Sequence, residues 1–154
     1  MKIKGQDALK ILLADDDPDD RFFFNLAVKD LTIPIQLTTV EDGVMLMDYL
    51  ARHSDKLHDI LFLDLNMPRK SGLECLSEIK SNPKLKDLPV IIYSTSLHED
   101  VADILYKNGA HYYIRKTDIV ELKKVLNHTL GLMMQNNFKR PKRDDFYSDY
   151  KGEY

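Results

Sequence analysis

The sequence of 154 residues contains a single cysteine, Cys75. One cysteine forms neither a disulfide bond within the chain nor a zinc site of several thiolates, and it fits the reducing cytoplasm. No apolar run approaches the roughly 20 residues that a membrane-spanning helix needs. The first seven residues have no apolar segment and no small-residue cleavage site, so we expect no secretory signal peptide. We therefore expect a cytoplasmic protein with no membrane partner.

The sequence also lacks a strong excess of charge of either sign. It has 22 Lys and Arg residues against 25 Asp and Glu residues, a net charge of -3. Such a balance gives no general electrostatic surface for nucleic acid, which we do not expect as a partner. Hydrophobic residues make up 44% of the chain, enough for the core of one domain.

Short apolar or β-rich segments alternate with helical patterns along the chain. The segments cover residues 11–14, 35–40, 60–63, 90–93 and 112–114. Continuously apolar strands are typical of a parallel sheet that is covered on both faces. Their alternation with helices predicts an α/β fold in three layers, with a doubly wound sheet of five parallel strands.

Residues at the ends of the helical patterns fit helix caps. Asp17 stands before Pro18, the pattern of an N-cap followed by proline in the first helical position. Ser71 and Ser96 each precede a glutamate by three residues, as in a capping box. Gly109 fits the left-handed residue that often follows a helix.

The composition changes after residue 135. Residues 136–154 mix basic and acidic side chains with five aromatic ones. This segment is too short for a second domain, so we divide the chain into a domain of residues 1–135 and a tail of residues 136–154, with no output domain. The tail packs either on its own domain or on a second chain.

Polar side chains follow four of the predicted strands. They are Asp15 and Asp16, Asp64, Ser94 and Thr95, and Lys116. The carboxyl ends of parallel strands share one edge of the sheet, so these groups converge there. Carboxylates brought together repel one another unless a cation compensates, and hard oxygen ligands suit Mg²⁺. One carboxylate is a candidate nucleophile toward phosphorus, with the lysine and a hydroxyl placed to meet the phosphoryl oxygens.

These motifs, in this order and spacing, resemble the receiver domain of response regulators in two-component signalling. They are ILLADDD at 11–17, DLNMP at 64–68 with Gly72 after it, Ser94-Thr95, and Tyr113 with Lys116. The resemblance covers roughly residues 8 to 135 and implies a flavodoxin-like sheet of order 2-1-3-4-5. The segment NPKLKDLP at 82–89 and the run Ser94-Thr95-Ser96 are most similar to stand-alone receivers associated with phytochrome-type sensor kinases.

The resemblance implies a phosphorylation site with a metal ion. Asp64 would accept the phosphoryl group. Asp16 and Asp64 would bind Mg²⁺ directly, with the backbone carbonyl of Asn66 as a third protein ligand. Asp15 would act mainly through a water on the metal.

The resemblance also assigns residues to the phosphoryl group and to the response. Lys116 would pair with the phosphoryl group, and Ser94 would hydrogen-bond to it. Tyr113 stands at the aromatic switch position. The family usually has proline after the lysine, often with a cis bond, whereas this chain has Thr117. The geometry of the Lys116–Thr117 bond is therefore open, and Thr117 is instead a candidate cap of the last helix.

The remaining acidic residues near the first strand fit structural roles. Asp17 fits an N-cap, and Asp19 and Asp20 fall in the first helical turn, where the helix dipole favours anions. We therefore predict that none of the three takes part in the site.

The predicted function is a receiver that takes a phosphoryl group from a histidine kinase or a phosphotransfer protein. It would catalyse only its own phosphorylation and dephosphorylation, and signal to a protein target through the fourth helix, fifth strand and fifth helix. We expect a homodimer on that face, braced by the tail. One alternative is an adaptor that needs no phosphorylation. Another is a phosphatase of the haloacid-dehalogenase type, which needs an acid where this chain has Asn66.

Overall fold

Five parallel strands form the centre of the molecule. A computed structural model describes residues 7–95 and 98–147. The strands are β1 (Leu9–Ala14), β2 (Ile35–Val40), β3 (Ile60–Leu63), β4 (Val90–Ser94) and β5 (Tyr112–Arg115). They pair in the order β2-β1-β3-β4-β5, which confirms the predicted topology.

Helices connect the strands and cover both faces of the sheet. They are α1 (Pro18–Lys29), α2 (Gly43–Arg52), α3 (Gly72–Ser81), α4 (Glu99–Lys107) and α5 (Ile119–Gln135). In the part of the chain that is described, no helix is both long and apolar enough to cross a membrane.

The alternation of side chains along each strand divides the core into two layers. On β1, Leu12 packs into the layer beneath α2 and α3, whereas Leu13 packs into the layer beneath α1 and α5. In the second layer the Phe24 ring is fully buried and meets the rings of Phe62 and Tyr93 edge-on, at centroid distances of 5.0 and 5.4 Å. Burying a side chain of this size contributes about 1.5–3 kcal/mol. This packing holds the strands, and with them the sheet edge where they end, in a fixed position.

Three of the predicted helix ends are confirmed. The Asp17 side chain accepts the backbone N–H of Asp19 at 2.8 Å and so caps α1. Ser71 and Glu74 form the capping box of α3. Gly109, with φ of 99°, follows α4 in the left-handed conformation that glycine adopts without a steric penalty.

Two predicted caps are wrong. Helix α4 begins at Glu99 with His98 at its N-cap, later than a capping box at Ser96 would place it. Ser96 itself lies outside the described residues. Helix α5 is capped by Asp118, whose carboxylate accepts a backbone N–H of the first turn, and not by Thr117. A carboxylate satisfies that donor with a full charge that the helix dipole also favours.

The tail returns to its own domain as far as Tyr147. Residues 138–147 lie along α4 and β5 and include a short 3₁₀ helix, Arg143–Asp145. Tyr147 forms a parallel β-bridge with Tyr113 of β5. Residues 138–147 of the tail thus pack on their own domain, one of the two arrangements that the sequence leaves open. Residues 148–154 lie outside the described residues.

Candidate functional site

Two neighbouring central strands bring the first acidic side chains together. Asp15 follows β1 and Asp64 follows β3, and the backbone N–H of Asp64 donates to the carbonyl of Ala14 at 3.0 Å. The pairing of β1 with β3 thus sets the two residues side by side at the carboxyl edge of the sheet. Asp15 is fully buried and Asp64 is 4% exposed.

Gly72 holds the loop after β3 against the start of α3. A Cβ atom on Gly72 would lie 2.2 Å from the carbonyl oxygen of Asp64 and 2.7 Å from the Cα of Leu65. The Gly72 N–H donates to the Leu65 carbonyl at 2.9 Å. Because the neighbours are backbone atoms, any larger side chain at this position would displace the loop that carries Asp64.

Three carboxylates form a group suited to a hard divalent cation. Asp15, Asp16 and Asp64 each offer an oxygen, and these oxygens all lie within 4.8 Å of one another. Asp16 is exposed, which leaves an approach from solvent. Carboxylate oxygens with water access fit Mg²⁺, which keeps several waters and takes one or two carboxylates. Asn66 lies in the adjacent loop, and its backbone N–H donates to Asp64 Oδ1 at 3.3 Å.

Lys116 supplies the positive charge of the site. Its Nζ lies 2.9 Å from Asp15 Oδ2 and 3.3 Å from Asp64 Oδ2. Its backbone N–H donates to the Ser94 carbonyl at 2.8 Å, which ties the residue to the end of β4. No peptide bond among the described residues is cis, so the Lys116–Thr117 bond is trans.

Burial shifts the pKa values of the charged groups in the site. Burial raises the pKa of Asp64 to about 6; Lys116 opposes this shift and Asp15 adds to it. Burial also raises the pKa of Asp15. Burial lowers the pKa of the Lys116 ammonium, but hydrogen bonds to Asp20 and Asp15 outweigh it, and the net pKa lies above the ordinary value. The site therefore has more buried negative charge than a single lysine neutralises, as expected of a cation site.

Asp20 belongs to the site, and the prediction of a purely structural role for it is wrong. Its Oδ2 accepts a hydrogen bond from Lys116 Nζ at 2.8 Å. Asp20 lies in the first turn of α1, and that turn starts directly above the end of β1. The sequence signal was a carboxylate one helical turn beyond Asp16, but the helix dipole accounts for such a residue equally well.

Ser94 and Tyr113 lie in the interior beside the carboxylates. The Ser94 hydroxyl is fully buried, and within residues 7–95 and 98–147 it has no hydrogen-bond partner that meets strict geometry, although the Tyr113 phenol lies near it. The Tyr113 ring is 2% exposed and packs in the layer opposite to Tyr112, as predicted for adjacent strand residues. Burial raises the pKa of the Tyr113 phenol; the nearby Ser94 side chain lowers it and Asp64 raises it. Tyr113 thus lies within electrostatic reach of Asp64.

This arrangement agrees with the comparison with known families. Residues 11–127 match the response regulator receiver domain. The chain belongs to this family. The receiver is 34% identical over 111 residues to response regulator Rcp1 of Synechocystis sp.. The aligned part covers 70% of the receiver and 76% of Rcp1. It is 30% identical over 121 residues to the two-component response regulator ORR12 of Oryza sativa subsp. japonica, covering 77% and 95% of the two chains.

Solved structures give the same result. The phosphorylated cyanobacterial phytochrome response regulator RcpA superposes on the receiver with a TM-score of 0.75 and 32% identity, over 88% of the receiver and all of RcpA. The Mn²⁺-bound form of Rcp1 has a TM-score of 0.71 and 30% identity, over 86% and 98% of the chains. The predicted resemblance to phytochrome response regulators is confirmed.

Proposed function

We propose that this receiver accepts a phosphoryl group on Asp64 and signals through protein contacts. The observation that carries the proposal is the position of Asp64: a nearly buried carboxylate with Asp15 beside it and the Lys116 ammonium 3.3 Å away. Burial raises the pKa of Asp64 to about 6, but the Lys116 ammonium opposes that rise and so favours the ionised carboxylate. It is therefore available as a nucleophile.

The proposed transfer needs little beyond position and charge. An Asp64 carboxylate oxygen forms a bond to phosphorus while the bond from phosphorus to the donor nitrogen breaks, and the donor imidazole leaves. The Lys116 ammonium pairs with the negatively charged phosphoryl oxygens. It also stays hydrogen-bonded to the Asp20 carboxylate. Water later cleaves the acyl phosphate and restores Asp64.

The acidic residues fit a metal cofactor. Asp15, Asp16 and Asp64, with the Asn66 carbonyl, would hold Mg²⁺, which when bound neutralises charge on the phosphoryl oxygens. The donor set supports this assignment, since it offers oxygen ligands close together. A relative at 30% identity has been solved in a Mn²⁺-bound form.

The proposed partners are a phosphodonor and a target. A sensor histidine kinase or a phosphotransfer protein would supply the phosphoryl group, in the cytoplasm, and a downstream protein would read the response. The similarity to RcpA favours a phytochrome-type kinase as the donor. The homodimer expected from the sequence stays a prediction, as does the absence of nucleic acid among the partners.

Phosphorylation by a small donor tests the proposal against an adaptor role. Acetyl phosphate with Mg²⁺ should add one phosphoryl group to the intact chain, as measured by mass spectrometry. A chain that gains no phosphoryl mass would favour the phosphorylation-independent adaptor. Steady hydrolysis of phosphate esters would favour a phosphatase instead.

Asp16→Asn is expected to weaken Mg²⁺ binding by roughly tenfold or more, because it removes one anionic ligand of a site that has few. Calorimetric titration with Mg²⁺ measures the Kd. The matched control is Asp19→Asn, which alters an exposed carboxylate on the adjoining first turn of α1. Its Kd should stay within about twofold, since the helix dipole contributes little at the surface. Equal losses in the two variants would contradict the assignment of Asp16.

Ser94→Ala is expected to permit phosphorylation but to reduce the accompanying change at Tyr113. In the proposed response the Ser94 hydroxyl moves toward the phosphoryl group, and the Tyr113 ring fills the space it leaves. The measurement is the change in the Tyr113 amide NMR signal when Asp64 is phosphorylated. Thr95→Ala, at the exposed neighbouring position, is the control and should keep the full change. A full change in Ser94→Ala would contradict this route.

A further inference from the structure

The chain reverses direction after α5 at a costly backbone conformation. Asn137 and Phe138 both have positive φ, 55° and 62°. The Phe138 N–H donates to the Met133 carbonyl at 2.7 Å, and the Asn137 N–H donates to the Met134 carbonyl at 3.4 Å, the two bonds of a Schellman motif. A bulky residue such as Phe138 adopts this conformation only where its surroundings compensate. The reversal therefore has structural support, and it directs the following residues toward β5.

Two arginines bind the returning segment to α4. Arg140 lies over the Tyr106 ring, 4.0 Å from its centroid, and donates to the Ala110 carbonyl at 3.1 Å. Arg143 pairs with Asp103 at 2.7 Å and with Glu99 at 3.0 Å. The two Arg143 ion pairs join charges of opposite sign on parts of the chain that are some 40 residues apart in sequence.

The aromatic residue at the end of the segment reaches the switch position. Phe146 is fully buried, with its ring 5.4 Å from that of Tyr106 and 6.3 Å from that of Tyr113. The Tyr113 N–H donates to the Phe146 carbonyl at 2.9 Å, and the Tyr147 ring lies 5.8 Å from the Tyr113 ring. Tyr113 therefore has Asp64 and Ser94 near one end and the tail against its ring and backbone.

We propose that residues 138–147 form an intramolecular strap that holds Tyr113 in its buried position and so couples the tail to the state of Asp64. The coupling rests on the proposed function, because it assumes that phosphorylation draws Ser94 away from Tyr113. The packing of the strap on α4 and β5 does not depend on the proposed function. The strap occupies the outer side of α4 and β5, so a partner that binds this face first displaces it or binds over it.

The direction of the coupling follows from linkage. Phosphorylation stabilises the buried position of Tyr113, and the strap packs on Tyr113 in that position. Phosphorylation therefore also stabilises the docked strap, and docking of the strap stabilises the phosphorylated state to the same extent. The strap should therefore open less often in the phosphorylated chain.

Tryptic cleavage after Arg143 measures how often the strap opens, because the Arg143 side chain must leave Glu99 and Asp103 to enter the protease. Cleavage of a segment that opens and closes rapidly follows the open population. Phe146→Ala should raise the cleavage rate at least about tenfold, because it empties a buried aromatic site. Tyr106→Phe, which removes only the hydroxyl that donates to the Pro141 carbonyl, should raise it less and leaves the fold intact.

Phe22→Ala is the matched control, since the Phe22 ring is 57% exposed on α1. It should leave the cleavage rate unchanged. Tyr113→Ala should raise the rate as Phe146→Ala does, because each ring supports the other. Equal rates in the wild type, Phe146→Ala and Tyr113→Ala would overturn the strap.

The second arm repeats the digestion with acetyl phosphate and Mg²⁺, with phosphoryl content measured on the same samples. The wild type should be cleaved about fivefold more slowly, the lower end of ordinary coupling between sites. Asp64→Asn should show no change. A wild type that carries the phosphoryl group and is cleaved at the same rate or faster overturns the coupling. A wild type that takes up no phosphoryl group contradicts the proposed function, and the first arm alone then decides the strap.

Discussion

Asp64→Asn is expected to abolish phosphorylation by acetyl phosphate or by a phosphohistidine donor. The amide has nearly the same shape as the carboxylate, so it keeps the 3.3 Å contact with the Asn66 N–H, but it lacks a nucleophilic anionic oxygen. Intact mass spectrometry after incubation with the donor and Mg²⁺ measures the result. The wild type should carry one phosphoryl group and the variant none.

The controls for this variant separate loss of the acceptor from loss of the fold. Asp19→Asn should be phosphorylated like the wild type, because Asp19 is exposed and lies outside the group of three carboxylates. Asp64→Asn should also unfold no more easily than the wild type at neutral pH without metal, since it removes a buried charge that is incompletely neutralised. A stably folded Asp64→Asn that still gains a phosphoryl group would place the acceptor elsewhere.

Lys116→Met should lower the free energy of unfolding by about 3–5 kcal/mol at pH 7 without divalent cations. The substitution keeps much of the apolar stem but leaves Asp15 and Asp64 buried without their cation. The Lys116 side chain is only 10% exposed, and the Asp15 side chain is fully buried. Urea denaturation measures the loss. The control is Lys123→Met, at a surface pair with Asp30 in which both side chains are more than one-third exposed. It should cost at most about 1 kcal/mol.

Acid and Mg²⁺ should each recover part of this loss. The pKa of Asp64 is raised by burial to about 6 in the folded chain, against an ordinary value of 3.8. The folded state therefore binds more protons than the unfolded state between these values, and this contribution favours folding at low pH and is lost as the pH rises through about 6. Without Lys116 the pKa should rise further, so Lys116→Met should lose less stability at pH 5 than at pH 7. A loss that is equal at both pH values and unaffected by Mg²⁺ would contradict the electrostatic role of Lys116.

The fold and part of the site were predictable because they depend on local pattern and topology. The short, continuously apolar β3 and β4 are typical of strands buried on both faces, and a parallel sheet then places Asp15 and Asp64 at one edge. Lys116 follows the last strand, so its side chain was predicted to join this group, and the motif at 64–68 supported that prediction.

The contacts that the sequence did not reveal depend on distances between elements. Asp20 fits both a helix dipole and an ion pair with Lys116, and only the packing of α1 beside the end of β5 distinguishes them. The caps at His98 and Asp118 differ by one or two residues from equally plausible ones. The burial of Phe146 follows from the backbone reversal at Asn137 and Phe138. Asparagine tolerates a positive φ, but local propensity does not predict one for a phenylalanine.

One measurement tests the central claim most directly: the position of the phosphoryl group in the wild-type chain. Borohydride converts an aspartyl phosphate to homoserine, and peptide mass spectrometry then locates the changed residue. After treatment with acetyl phosphate and Mg²⁺, the account predicts homoserine at position 64 and unchanged aspartate at positions 15, 16 and 20. Homoserine at one of those three positions, or a phosphoryl group that borohydride leaves on another type of residue, would contradict it.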